Sequence, residues 1–174
     1  MGDLPAIRRA DARDAADVAD FLRVNFLIAY GNCSTPENVR LHVERAFDLV
    51  RIAAELAAPE YVTLVARAGD SPVAAVAQLA FASATPACVA APAVEIRRFY
   101  VAPDWHGSGL ADVLMSQSIA LATPRGPALW LSVWEEAPRA VGFYRRWGFA
   151  VAGRTTFLVG DDAKDDWVMA RALP

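Results

Sequence analysis

The stretch from Glu95 to Ala111 constrains this chain more than any other. Its first half, Ile96-Arg97-Arg98-Phe99-Tyr100-Val101, reads as a strand that ends at Pro103; Gly107 and Gly109 form a tight turn, and a helix opens at about Ser108. A strand feeding a glycine turn and then a helix N-terminus can cradle an anion. Glycine lets backbone N–H groups approach a phosphate with no Cβ in the way, and the first-turn amides carry the positive end of the helix dipole. The same residues would also serve as a plain strand-to-helix turn, so the known phosphate motifs are the first test. The turn lacks the Gly-Lys-Ser/Thr of a P-loop, and it lacks the third glycine and downstream acid of a dinucleotide fingerprint. A nucleophile elbow fails as well, because Gly107 directly precedes Ser108.

Around this stretch the chain has the size and chemistry of one domain, residues 1–174, long enough to bury a real core. A net charge of −3 leaves no concentrated basic face to neutralise nucleic-acid phosphates and mildly suits a cationic substrate. Cys33 and Cys88 lie far apart with no Cys-x-x-Cys, and His42 and His106 are the only histidines, so neither a disulfide framework nor a metal site is expected. No apolar run reaches the ~18 residues of a membrane span and no signal-peptide pattern opens the chain; the expectation is a cytoplasmic protein without membrane or nucleic-acid partners.

Periodicity orders the elements. A short strand at Ala6 to Arg9 precedes a helix over residues 14–26, in which Ala15, Val18, Ala19, Leu22 and Phe26 share a face. Thr35 and Pro36 form a cap and first-turn pair for a second helix carrying Val39, Val43, Ala46, Phe47, Val50 and Ala54, ending before Pro59. Strands follow at residues 61–67 and 72–81 around a Gly69-containing hairpin, then an irregular connection over residues 83–92 and the strand over residues 93–101. The helix from Ser108 to about Thr123 is expected to bury Val113, Leu114 and Leu121. A strand at residues 128–133, a helix over residues 138–147 with Gly148 past its end, and strands at 149–157 and 166–172 complete the chain. This is a mixed α/β (α+β) domain.

Two pieces carry a family resemblance. His106-Gly107-Ser108-Gly109-Leu110-Ala111 resembles motif A of the GNAT superfamily of N-acetyltransferases, Arg/Gln-x-x-Gly-x-Gly/Ala, with histidine at the first position. Leu131 to Phe149 is similar to motif B, with Ala140, Phe143, Tyr144, Gly148 and Phe149 matching and Ala137 where relatives usually have Asn. Within that family the segments around Thr35, Val133, Gly153 and Gly160 look like the bacterial polyamine acetyltransferases of the PaiA type, although Thr155 stands where that group often has His. The resemblance implies a GNAT fold: a mostly antiparallel sheet of about seven strands, splayed beside its central strand and flanked by about four helices.

It also implies acetyl-coenzyme A as cosubstrate and assigns roles. Amides from Gly107 through Ser108, Gly109 and Leu110 to Ala111 would bind its pyrophosphate with His106 beside them, and backbone of Phe99, Tyr100 and Val101 would pair with the pantetheine arm like an added strand. Ala137, Arg139 and Phe143 would complete the coenzyme site. Tyr144 would protonate the departing thiolate, and Glu95 would take the amine's proton directly or through water. Without the motif context, Tyr144 would be a core aromatic and Glu95 a salt-bridge partner of Arg97 or Arg98. Asn25, Tyr30, Asn32 and Cys33 would offer polar groups to the acceptor, and Asp161, Asp162, Asp165 and Asp166 could attract a polycation unless they are only a solvated turn. The expected activity is acetyl transfer to a primary amine of a small molecule, a polyamine among the candidates, in a chain compatible with a homodimer. The alternatives are a coenzyme-binding sensor without turnover, or an enzyme for a protein N-terminus or an antibiotic.

Overall fold

The computed structural model describes residues 3–69 and 71–174. Strands β1 Ala6–Arg9, β2 Tyr61–Arg67, β3 Ala75–Ala80, β4 Ala93–Val101, β5 Ala128–Trp134, β6 Ala150–Val159 and β7 Asp162–Ala172 form one sheet. Their order is β1-β2-β3-β4-β5-β7-β6, and every neighbouring pair is antiparallel except β4 with β5. Helices α1 Ala15–Tyr30, α2 Pro36–Ala46 and α3 Leu49–Ala57 cover one face, while α4 Leu110–Ala122 and α5 Pro138–Arg146 cover the other. With helices on both sides β3 is buried throughout: Val76 and Gln78 point toward α1–α3, and Ala75, Ala77 and Leu79 toward α4 and α5.

One irregularity shapes the centre of the sheet. Gln78 pairs with Arg98 but Leu79 pairs with Ile96, so Arg97 is an extra residue that bulges β4. A bulge bends its strand and increases the local twist. Parallel pairing of β4 with β5 is confined to Ala93–Ala128, Val94–Leu129 and Glu95–Trp130. Beyond that point β4 stays with β3 to Val101, and β5 stays with β7 to Trp134. The sheet therefore opens into a wedge with unpaired backbone on the β5 side of β4.

A buried polar cluster fixes α3 against this region. Arg98 Nη1 donates to Glu55 Oε2 and, at 2.7 Å, to Gln78 Oε1, while its Nη2 reaches the carbonyl of Ala46 at 3.1 Å. Gln78 Nε2 donates to Thr63 Oγ1 at 3.2 Å, and Arg51 Nε to Glu55 Oε1 at 3.1 Å. Each polar group here has a partner, which is the condition for burying a charged pair without a large penalty. At the far end the β6–β7 tip is tied to the start of α2: Ser34 Oγ donates to Asp162 Oδ2 at 2.6 Å, and the Asp161 N–H reaches Asn38 Oδ1 at 3.3 Å.

Three local expectations are corrected. The second helix is two, so among the described residues the sheet carries five helices. Asp48 is extended (ψ 138°) and its carboxylate accepts the Arg51 N–H at 3.1 Å, so it caps a fresh helix and leaves Val50 76% exposed. The motif A helix starts at Leu110 and buries Leu110, Leu114, Met115, Ser118 and Ala122; Val113 and Leu121 are 40% and 36% exposed. Gly109, left-handed at φ +90°, delays the start. The last hairpin turns at Gly160 as expected, but β7 begins at Asp162 instead of Asp166, which brings Asp165 into the strand beside Asp166. Among the described residues no helix is long and apolar enough to cross a membrane.

Candidate active site

At the wide end of the wedge, β4 runs into the glycine turn. Gly107 and Gly109 have φ of +80° and +90°, a conformation that side chains resist, and nothing lies within 4 Å of where either would carry a Cβ. The space over the turn is open. Asp112 and Val113 both direct their N–H to the Gly109 carbonyl, which leaves the Gly107, Gly109 and Ala111 amides without a backbone acceptor among the described residues. Ser108 Oγ donates to the Trp105 carbonyl at 2.7 Å and accepts the Leu110 N–H at 3.2 Å, pinning the turn. His106 is turned back, with Nε2 2.9 Å from the Val101 carbonyl, so it braces the end of β4. Leu110 itself is a core residue and offers only its backbone.

The α5 side of the wedge is aromatic. The Phe99 ring sits 5.5 Å from Phe143 and 6.3 Å from Tyr144, and Tyr144 lies 5.8 Å from Phe149. Ala137 is the residue before α5 and supplies no side-chain cap; Arg139 is exposed in its first turn. Tyr144 is fully surrounded, and burial first, then the Tyr30 phenol, push its pKa well above the usual tyrosine range. A phenol in that state keeps its proton and can only donate or give it up to a strong base. On the opposite face of the sheet, Tyr30 of α1 and Tyr100 of β4 converge on one space where β4 and β5 part, and burial pushes the Tyr100 phenol well above the usual tyrosine range.

On the α1–α3 face that convergence point opens into a cavity of about 120 Å³ walled by Phe26, Tyr30, Tyr100, Trp134 and Phe157. One buried carboxylate, Asp166, lines it, 5% exposed and opposite Trp134 in the ladder. Burial raises the Asp166 pKa to about 6, with Asp165 and Glu135 adding to the effect and the nearby Ser132 hydroxyl working against it. Burial pushes the Tyr30 phenol to about 12. A separate cavity on the same face holds Glu95, whose carboxylate accepts from Ser83 Oγ and stands 4.0 Å from Arg97 Nη1. Arg97, the bulged residue, lines both.

The structure thus gathers Phe99, Tyr100, Phe143 and Tyr144 with Tyr30 around the wedge, and sets Glu95 in the adjoining cavity. Asn25 is placed elsewhere: its Nδ2 donates to the Phe21 carbonyl at 2.9 Å within its own helix, and it does not line the cavity. Asn32 lies outside the aromatic cavity, beside Cys33 and Glu135 on an outer polar surface. Arg98, weighed from sequence as a partner of Glu95, binds Glu55 instead. Sequence reasoning missed Trp134 and Phe157 as cavity walls. Alternation along β5 and β6 was the available signal, but a strand with a helix on one side and a cleft on the other looks the same as a buried one.

Comparison with known proteins agrees with this geometry. The sequence model of the Acetyltransferase (GNAT) family matches residues 27–149. An uncharacterised N-acetyltransferase of Mycobacterium tuberculosis is 30% identical over 161 residues, spanning 92% of this chain and 98% of that protein. Among solved structures, the PaiA N-acetyltransferase of Thermoplasma acidophilum in complex with coenzyme A superposes with a TM-score of 0.76 over 98% of this chain and 99% of the other at 17% identity, a likeness of fold. The YncA acetyltransferase of Salmonella typhimurium with acetyl-coenzyme A does so with a TM-score of 0.69 over 99% and 95% at 20% identity. The wedge, the glycine cradle and these matches together place the chain in the GNAT acetyltransferase family, as an N-acetyltransferase.

Proposed function

We propose that the acceptor is the primary amine of a small molecule, with polyamines among the first to test, and that acetyl-coenzyme A is the donor. The observation that carries the acceptor reading is the small aromatic cavity with one carboxylate at the point where β4 and β5 part. The residues present fit the donor: free turn amides for a pyrophosphate, open space above two glycines, and unpaired β4 backbone for an amide-bearing arm. When bound, acetyl-coenzyme A supplies an acetyl thioester.

The chain's own groups then have distinct tasks. Gly107, Gly109 and Ala111, whose amides have no backbone acceptor among the described residues, hold the phosphate end through backbone N–H while Ser108 and Leu110 pin the turn, and Phe99 to Val101 hold the arm in register. Glu95, across Arg97 from the cavity, accepts the amine's proton through water, freeing the nitrogen lone pair to attack the carbonyl carbon. Tyr144, kept neutral by burial, gives its proton to the sulfur as the carbon–sulfur bond breaks, and the second proton that the nitrogen sheds on becoming an amide restores the phenol. Phe143, Phe99 and the cavity aromatics exclude water from the thioester.

The test is incubation with acetyl-coenzyme A and a panel of primary amines beginning with spermidine, with products identified by mass spectrometry. Acetylated amine is the expected result; binding of the donor with no product from any amine would point to a sensor role.

A further inference from the structure

We infer that Asp166 is the specificity-determining residue of the acceptor cavity, selecting an ammonium group over a neutral one and holding it among the aromatic rings. This rests on the reading of the cavity as the acceptor site. Its first support is an imbalance of charge. Asp166 is 5% exposed, yet among the described residues it joins no ion pair. The other well-buried carboxylates are paired: Asp14 with Arg8 at 2.6 Å, and Glu55 with Arg98. Two cations do face the same cavity, but each is engaged elsewhere, Lys164 with Asp162 at 2.7 Å and Arg97 beside Glu95. A carboxylate buried without a counter-ion is costly unless something supplies one.

The second support is what surrounds it. Phe26, Tyr30, Tyr100, Trp134 and Phe157 offer ring faces and edges, and Tyr30 packs edge-on to Trp134 at 6.2 Å. Rings around a single acid recognise a cation with an apolar body, since cation–π attraction strengthens when water is excluded. The third is size. A cavity of about 120 Å³ is a little smaller than the roughly 150 Å³ space that admits benzene, so it takes an amine with a chain of about four or five heavy atoms. The raised Asp166 pKa, about 6, still leaves it ionised at pH 8, where an alkylamine of pKa ~10.4 is protonated.

The test uses the whole protein at pH 8 and two isosteric probes, butylamine and butan-1-ol, in calorimetric titrations. Wild type is expected to bind the ammonium at least about tenfold more tightly than the alcohol, and Asp166→Asn to bring the two within about threefold, the loss expected of one charge-assisted contact. Equal binding of the probes by wild type overturns the inference without any variant. So does failure of butylamine to bind up to tens of millimolar, or an ammonium preference that survives Asp166→Asn. A parallel titration with acetyl-coenzyme A separates the two readings: if the donor does not bind, the acetyl-transfer reading falls, while the selectivity result stands on its own.

Discussion

Replacing Asp166 by Asn should stabilise the protein, and only above a certain pH. In the unfolded chain the carboxyl has its ordinary pKa of 3.8, whereas burial holds it at about 6 in the folded state. The folded state thus binds the proton more tightly. The stability this confers is complete below pH 3.8 and is lost as pH rises through 6. A difference of about 2 units at ~1.36 kcal/mol each amounts to roughly 3 kcal/mol at pH 8, an upper value because the cavity opens to solvent. A domain of this length shifts by about 2–4 °C per kcal/mol, so Asp166→Asn should raise Tm by about 3–10 °C at pH 8 and leave it nearly unchanged at pH 4. Thermal unfolding by circular dichroism at the two pH values measures this. An equal shift at both, or a lower Tm at pH 8, would refute the claim that an uncompensated charge sits there. A saturating amine should narrow the gap at pH 8 by stabilising the wild type alone.

Four other outcomes are expected. Tyr144→Phe keeps the ring packing against Phe99 and Phe149 and should lower kcat on the order of 100-fold with acetyl-coenzyme A affinity intact; an unchanged rate removes Tyr144 from the proton transfer. Glu95→Gln should lower kcat and flatten the rise of rate with pH, and an unaltered profile would leave water alone as the base. Glu55→Ala strands Arg98 in the interior and should cost ~3–5 kcal/mol in urea unfolding, a loss that Glu55→Ala with Arg98→Leu should partly restore. Gly109→Ala forces a side chain to a φ of +90°, a strain of roughly 1–2 kcal/mol, and should weaken acetyl-coenzyme A binding more than it lowers Tm.

Much of this architecture was written in local patterns. The strand over Ala93–Val101, the two-glycine turn and the Pro-to-Gly span of α5 are specified by residues adjacent in sequence, so periodicity and capping chemistry expose them. What stayed hidden depends on residues far apart. The bulge at Arg97 is a matter of register between β3 and β4, and nothing in Ile96-Arg97-Arg98 distinguishes the inserted residue from its neighbour. The break at Asp48 was legible as a cap signal but lost to a continuous apolar rhythm across it. Asp166 looked like one of four turn acids because its burial comes from α1 and β5, more than thirty residues away in sequence. Asn25 is a different case: its amide is committed locally, to the Phe21 carbonyl one turn back, an alternative that the residue type alone does not reveal.

The tie between the β6–β7 tip and the start of α2 bears on how the molecule breathes. Ser34, Asn38, Asp161 and Asp162 close a bracket around the outer side of the aromatic cavity, joining two segments more than a hundred residues apart. Behind it Val39 and Val43 of α2 share a buried apolar cluster with Val159 of β6, and His42 packs on Phe157, so the polar bracket closes over an apolar seam. Opening that side of the cavity would part α2 from β6 as a unit, breaking polar and apolar contacts together.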